Sequence, residues 1–417
     1  MCQQTIRCAV PGFTERELMT LIFSYKIFPT ERYKSSMILI MLNRRSTKLL
    51  PLLTILSCLS ILNTSSASYG RKQNPAASVT GQDRGPGSLP AGADTDTEPA
   101  FGMGLDQEET LFQNFIQKFN KTYTRGSNEY SKRLQIFKES LLKHELLNAF
   151  ATHRDHATYG ITKFSDLTVE EFKSEYLGAI RTPDQNLSIP RPFQRPFKSV
   201  PSVYDLRSIK PSVVTPVRNQ KSCGACWAFS VVETMETQIA LKYKHLTELS
   251  VQELVDCGTA AGDGGCRGGV PCKTLHWLNQ TKTSLVPEST YPYKAKKGDC
   301  RIIKNSTLNA VVSDFSCGNY TINEEVMPSM VYNHGPLSIS VDAEAWQYYL
   351  GGIIQYHCTP SYLNHAVQIV GYDMSGDIPF YIVRNSWGAD WGIDGYLKIK
   401  IGNNVCGVAS AVQTISV

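Results

Sequence analysis

The sequence has no cysteine between Cys58 and Cys223, no long block of Lys or Arg, and no apolar run of the ~20 residues that a membrane-crossing helix needs. Each absence excludes something. A formal charge of +5 over 417 residues, spread without a basic stretch, is too mild for counterion-driven binding, so no nucleic-acid partner is expected. The apolar run Leu49 to Leu62 is interrupted by Pro51 and too short to leave a stable span in a mature protein. A zinc site wants two close Cys/His pairs, and Cys257 with Cys266 is too widely spaced, so neither metal nor other cofactor is expected. Disorder throughout is excluded by 42% hydrophobic and 10% aromatic residues, and the length suits two to three compact units.

What is present is concentrated at the two ends. Of 12 cysteines, three lie at Cys2, Cys8 and Cys58, and the other nine fall from Cys223 to Cys406. That density suits an oxidising compartment, and an odd number leaves at least one thiol over after pairing. Arg44, Arg45 and Lys48 precede Leu49 to Leu62, and small residues follow through Ser68, the layout of a signal peptide. Residues 1–68 are therefore read as a leader whose working start is Met37 or Met41, a signal anchor being the competing reading. The Gly/Pro/Ser/Ala-rich residues 69–104 read as a flexible linker.

From Asp106 a helical period sets in. Asp106 and Glu109 suit a capping box, with Leu111, Phe112, Phe115, Ile116 and Phe119 on one face. A second helix is predicted over 127–150, then a short strand and another helix within 159–172, and five prolines in 181–201 mark an exposed boundary. Beyond it, helices are predicted at 225–243, 249–255 and 274–278, and strands at 337–341, 366–372, 379–384 and 395–401. A helix-leaning half followed by a strand-leaning half predicts an α+β fold of two lobes with a cleft between them.

The run Cys223-Gly224-Ala225-Cys226-Trp227 at the start of the long helix matches the C-G-[SA]-C-[WY] signature of papain-type enzymes. With Asn364-His365-Ala366, Arg384-Asn385-Ser386-Trp387-Gly388 and Gly265-Cys266-Arg267-Gly268-Gly269, the chain from about Asp106 onward resembles the papain-like cysteine peptidases. The chemistry of such an enzyme follows from residue types. A thiol of pKa ~8.5 is a weak nucleophile at working pH, and a helix N-terminus plus an imidazolium favour its ionised form, papain itself being the known case at ~3–4.

The resemblance implies a lysosomal or secreted thiol endopeptidase with a helical left lobe, an antiparallel β-barrel-like right lobe and a helical inhibitory propeptide. It assigns Cys226 as nucleophile, His365 as its proton partner, Asn385 as the orienter of the ring and Gln220 as an oxyanion donor. Gly268 and Gly269 would lie along the substrate backbone, with Val270, Pro271, Ser340, Leu363, Ala366 and Ala411 around the specificity pocket and Trp387 over the His365–Asn385 contact. It implies disulfides Cys223–Cys266, Cys257–Cys300 and Cys358–Cys406, and Cys272 with Cys317 are inferred to form a fourth. Residues 105–201 would be the propeptide and 202–417 the peptidase domain, acting as a monomer on protein or peptide substrates. Acid release of the propeptide is expected from its carboxylates. The propeptide motif survives at Glu129, Arg133, Phe137 and Asn148 but departs at Ser140, His144 and Thr162; in the peptidase part Leu206 stands where Trp is usual and Lys221 where Gly is. Sequons at Asn120, Asn186, Asn279, Asn305 and Asn319 suit lumenal folding. Two other classes fit parts of the pattern: a thiol–disulfide oxidoreductase using Cys223-x-x-Cys226, and an inactive papain-fold interaction protein.

Overall fold

The computed structural model describes residues 105–149, 151, 153–179, 200–303, 308 and 310–417; the leader, the linker and the sequons Asn186 and Asn305 lie outside the described residues. The first helices are α1, Leu105–Lys118, and α2, Asn128–Asn148. The N-cap of α2 is Ser127, whose hydroxyl accepts the Tyr130 N–H at 3.1 Å. Helix α1 already begins at Leu105, so Asp106 sits inside its first turn and is not the cap that the sequence suggests. Phe112, Phe115, Tyr130 and Phe137 bury one another between the two helices as a small aromatic core. Strand β1, Thr158–Tyr159, and helix α3, Val169–Tyr176, follow, the latter opened by a complete capping box of Thr168 and Glu171.

After residue 200, β2, Val203–Asp205, precedes the long helix α4, Cys226–Tyr243, with α5, Val251–Cys257, and α6, Pro271–Thr281, packed against it or beside it. The strand-rich part holds β3, Asp314–Gly318, α7, Met327–His334, β4, Leu337–Val341, β5, Tyr349–Gly351, and β6, Ile353–Ile354. It closes with β7, His365–Asp373, β8, Phe380–Arg384, β9, Tyr396–Lys400, and β10, Val412–Ser416. The sheet order is β3-β10-β4-β7-β8-β9-β6, antiparallel except for the β6–β9 pair, with β2 added antiparallel to β7. The predicted strands therefore stand, while β2, β3, β10 and α7 are elements that the sequence pattern did not reveal.

Two cores explain the two lobes. One lies among α4, α5, α6 and the β3/β10 edge; the other lies within the sheet and includes Trp346, Trp387 and Trp391. Helix α4 is buried from Cys226 to Ala240 because it has the other helices on one side and β4, β7 and β10 on the other, and its polar residues Ser230, Glu233, Thr234, Glu236, Thr237 and Gln238 are buried along with its apolar ones. Leu206 is fully buried with Val213, Val370 and Ile382, so the position of the usual Trp is still a core position.

Residues of the N-terminal segment enter the sheet-lobe core directly. Tyr159, Phe164, Phe172 and Leu177 belong to it, and β1 pairs with β5 in a separate two-stranded sheet. Residues 178 and 179 then run between the lobes: the Gly178 carbonyl accepts from Gly269 N–H at 2.9 Å, and Ala179 N–H donates to the Asn364 carbonyl at 3.0 Å.

Candidate active site

Cys226 is the first residue of α4, and its Ala225 N-cap offers no side-chain hydrogen bond; the Ala228 N–H turns back to the Ala225 carbonyl at 2.9 Å, while the N–H groups of Cys226 and Trp227 act on the thiol. His365 is the first residue of β7, and Asn385 follows the last residue of β8. His365 Nε2 lies 2.8 Å from Asn385 Oδ1, and the Ser386 N–H donates to that same atom at 2.8 Å. An atom that accepts a backbone N–H is the amide oxygen, so His365 carries its proton on Nε2. Its Nδ1 is then a bare acceptor, buried and without a hydrogen-bond partner among the described residues. The indole of Trp387 lies over the ring at a centroid distance of 4.7 Å, and Trp346 meets its edge at 6.0 Å.

Gln220 is fully buried and held at both ends of its amide. Its Oε1 accepts the Ser386 hydroxyl at 2.6 Å, and its Nε2 donates to the carbonyls of Cys223 at 2.9 Å and Tyr176 at 3.0 Å. The Tyr176 carbonyl belongs to the N-terminal segment, so a peptide oxygen from that segment already occupies one of the donor's two protons.

Residues 200–415 match the family described as Papain family cysteine protease, and residues 112–172 match the Cathepsin propeptide inhibitor domain (I29). Cathepsin O of Mus musculus is 44% identical over 295 residues, 69% of this chain and 91% of the relative. Cathepsin O of Homo sapiens is 44% identical over 300 residues, 72% of this chain and 91% of the relative. The chain belongs to the papain family of cysteine proteases. The procathepsin L2 proteinase of Tenebrio molitor larval midgut superposes with a TM-score of 0.65 at 30% identity, covering 74% of this chain and all of that one. The protein is thus a papain-family cysteine endopeptidase made with its inhibitory propeptide, and the resemblance of Trp346 to Cys358 and Asn403 to Val408 to cathepsin O agrees with these relatives.

In this papain-family proform, burial pushes the Cys226 thiol up to about 11, backbone hydrogen bonds from Ala366, Gly178, Trp227 and Cys226 itself opposing it. Burial likewise takes His365 down to about 4 against the hydrogen bond to Asn385. Both shifts favour the neutral thiol–imidazole pair, whereas the motif suggests an ion pair. The difference has a physical cause: with residues 178 and 179 running between the lobes, both groups are removed from water, and desolvation penalises both charges.

The propeptide holds the site through Trp387 as well. Phe164 and Phe172 meet the indole edge-on at 5.5 and 5.3 Å, and Lys163 donates to the Trp387 carbonyl while pairing with Asp390 at 2.6 Å. The departing motif residues also face the peptidase: Ser140 Oγ lies 3.4 Å from Tyr348 Oη, the His144 ring meets Tyr348 at 4.8 Å, and Thr162 Oγ1 donates to the Gln347 carbonyl.

Of the expected pocket residues, Ser340 pairs with Ala366 across β4 and β7 and donates its N–H to the Ala411 carbonyl at 3.0 Å, so these three are adjacent. Leu363 is buried next to Gly407, and Val270 and Pro271 begin α6 directly after Gly268 and Gly269. Disulfides join Cys223 to Cys266, Cys257 to Cys300, Cys358 to Cys406 and Cys272 to Cys317, and Cys226 is the free cysteine among the described residues. The redox reading fails here, because Cys223 is committed to Cys266 and is no partner for Cys226. Asn120 and Asn319 are exposed, but the Asn279 amide donates to the Val312 and Ser313 carbonyls at 3.1 and 2.9 Å, bonds that a glycan on that nitrogen would disturb. No helix among the described residues is long and apolar enough to cross a membrane.

Two contributors escaped the sequence reading. Gly178 lies so close to Gly224 that an added Cβ would fall 2.1 Å from the Gly224 carbonyl oxygen; a glycine just ahead of the proline-rich stretch was the only signal. Tyr293 donates its hydroxyl to the Gln220 carbonyl at 2.8 Å from 73 residues away, which no local pattern encodes.

Proposed function

We propose that Cys226, His365, Asn385 and Gln220 hydrolyse peptide bonds once the propeptide leaves, in a lysosomal or secreted setting reached through a leader within residues 1–68. The observation that carries this reading is the tautomer imposed by Asn385: the Nε2–H···Oδ1 bond leaves His365 Nδ1 bare as the proton acceptor. Proton transfer from the Cys226 thiol to Nδ1 creates the thiolate–imidazolium pair, which becomes favourable when water replaces the propeptide and the helix N-terminus is left to support the thiolate. The thiolate attacks the scissile carbonyl, and the oxyanion receives hydrogen bonds from Gln220 Nε2 and the Cys226 N–H. His365 then returns its proton to the leaving amine, and water hydrolyses the thioester, regenerating the thiol.

Residues 105–201 serve as the propeptide in this reading and 202–417 as the mature domain, released at acidic pH. Met374 N–H bonds the Ser202 carbonyl at 2.7 Å and β2 begins at Val203, which supports a cut just before this point. Gly268 and Gly269 take the substrate backbone, and Val270, Pro271, Ser340, Leu363, Ala366 and Ala411 form a small-to-medium apolar pocket.

Covalent labelling of the processed protein by a thiol-directed peptidyl reagent, with the modified residue mapped, tests the assignment. Modification of Cys226 with loss of peptidase activity is expected. Activity that survives Cys226→Ser would refute it.

A further inference from the structure

Two consecutive glycines are the least constrained backbone available for gripping a substrate, since neither carries a side chain that neighbours can hold. Gly268 lies at φ 105, a conformation that side chains disfavour, and Gly269 follows it with its N–H bonded to a peptide carbonyl, that of Gly178. Something outside the pair must fix the direction of that N–H.

We propose that Asp263 is a positioning residue for peptide substrates: it clamps the Gly269–Val270 peptide on one side of Gly269 while the Gly264 N–H holds the Gly268–Gly269 peptide on the other, so that between them the Gly269 N–H keeps its aim at a substrate carbonyl. The proposal rests on the reading above that Gly268 and Gly269 take the substrate backbone. Asp263 is buried, 3% exposed, and the charge of Lys273 reaches its carboxyl without a salt bridge between them. Instead, Oδ1 accepts the Val270 N–H at 2.8 Å and Oδ2 accepts the Thr274 hydroxyl at 2.8 Å, while the Asp263 N–H donates to the Gly258 carbonyl at 3.0 Å. Holding the Val270 N–H fixes the plane of the Gly269–Val270 peptide and hence ψ at Gly269, while the plane that carries the Gly269 N–H is held at its other end by the Gly264 N–H on the Gly268 carbonyl at 2.7 Å.

The fit beneath Gly269 is close on both sides. A Cβ there would stand 2.6 Å from Asp263 Oδ1 and 2.6 Å from the Trp227 ring. Trp227 directly follows Cys226, and its Nε1–H donates to the Gly265 carbonyl at 3.1 Å; the loop closes on itself through Gly264 N–H to the Gly268 carbonyl at 2.7 Å. Asp263 and Trp227 therefore set the substrate-gripping backbone from the loop and from the nucleophile's own helix. Because the backbone bond at Gly269 is made equally in the bound peptide and in the transition state, loss of the clamp acts on binding rather than on turnover.

The clamp does not need its charge to keep its geometry. The Thr274 hydroxyl also lies 3.2 Å from the Val270 carbonyl, so it can turn its proton there and accept a hydrogen bond from an amide placed at 263. Asp263→Asn is thus the conservative rescue, and Asp263→Ala the loss.

The experiment uses enzyme processed from the full chain and compares kcat and KM on a peptide substrate with the rates at which Cys226 is labelled by a peptidyl reagent and by iodoacetamide, which has no peptide to grip. For Asp263→Ala, KM rises ~10- to 100-fold with kcat little changed, peptidyl labelling slows by a similar factor, and iodoacetamide labelling keeps its parental rate. Asp263→Asn stays within ~3-fold of the parent, and Thr274→Val, which removes one donor and covers the case in which the alanine variant does not fold, raises KM by a few-fold. An unchanged KM in Asp263→Ala or Thr274→Val, equal slowing by both reagents, or an Asn variant as weak as the Ala variant overturns the proposal. Failure of both reagents to label Cys226 in the parent would instead count against the nucleophile assignment.

Discussion

In the proposed mechanism Gln220 serves two states. Its amide plane is set by the Ser386 hydroxyl on Oε1 and by the Cys223 carbonyl on Nε2, and the remaining proton is held by the Tyr176 carbonyl, which departure of the N-terminal segment would free. Gln220→Ala is therefore expected to lower kcat ~10²- to 10³-fold in processed enzyme, the loss usual for one oxyanion donor, and parental turnover would remove Gln220 from the mechanism. Its neighbour Lys221 is exposed at φ 53, a left-handed backbone that explains why glycine is the usual residue there. Cys226, His365, Asn385 and Gln220 were all legible in the sequence because short motifs surround them. The Asp263 clamp was not, since its partners Val270 and Thr274 lie across a loop whose path no periodicity describes.

Among the elements, α4 must stay in register with β7 and β8, because the nucleophile rides on one and its partners on the others. Buried polar contacts do this. Gln368, three residues after His365, donates to the Glu233 carbonyl at 3.0 Å, and Arg384, just before Asn385, pairs with Glu233 at 3.3 Å. The segment at 178–179 is held by backbone bonds and by the absence of side chains at Gly178 and Gly224. Gly178→Ala places a methyl 2.1 Å from a backbone oxygen, so the strand must lift. Iodoacetamide should then label Cys226 in the unprocessed chain ~10-fold or more faster than in the parent; an equal rate would show that this contact does not shield the thiol. Helix and strand positions were largely readable from their 3.6- and 2-residue periods. Short β2, β3 and β10 were not, because their burial comes from neighbours far along the chain.

For the whole molecule, the acid release proposed above requires a group of the propeptide interface that titrates as pH falls. Glu171 is a poor trigger: burial raises it, but hydrogen bonds from Arg133 and Lys132 overcome this and hold it at about 2. Its contribution is present above the ordinary carboxylate pKa near 4.5 and is lost only as pH falls from there toward 2. His144 titrates in the better window. Burial against Tyr348 brings it down to about 4, and its Nε2 has no hydrogen-bond partner among the described residues. Tyr348 in turn feels Glu139 and Glu344, and Ser140 bonds its hydroxyl. A depressed histidine favours docking fully above its free pKa near 6.5, and that contribution is lost as pH falls from there to about 4, amounting to about 3 kcal/mol at most. Propeptide inhibition of the mature domain should weaken progressively from pH 6.5 to 4, and His144→Phe should flatten that profile. An identical pH profile in the variant would exclude His144 as the sensor.

The sequence by itself pointed to the proposed chemistry: a thiol at a helix start, a histidine and an asparagine within recognisable motifs, and an odd cysteine count requiring an unpaired thiol. These are local facts, set by residue type and short spacing. The tertiary structure alone decided that the Gln220 amide meets the Tyr176 carbonyl, that Asp263 meets Val270 and Thr274, and that Cys226 and His365 are taken out of water together. Those outcomes depend on which surfaces exclude water and which distant atoms come within bonding distance, and only the folded chain sets both.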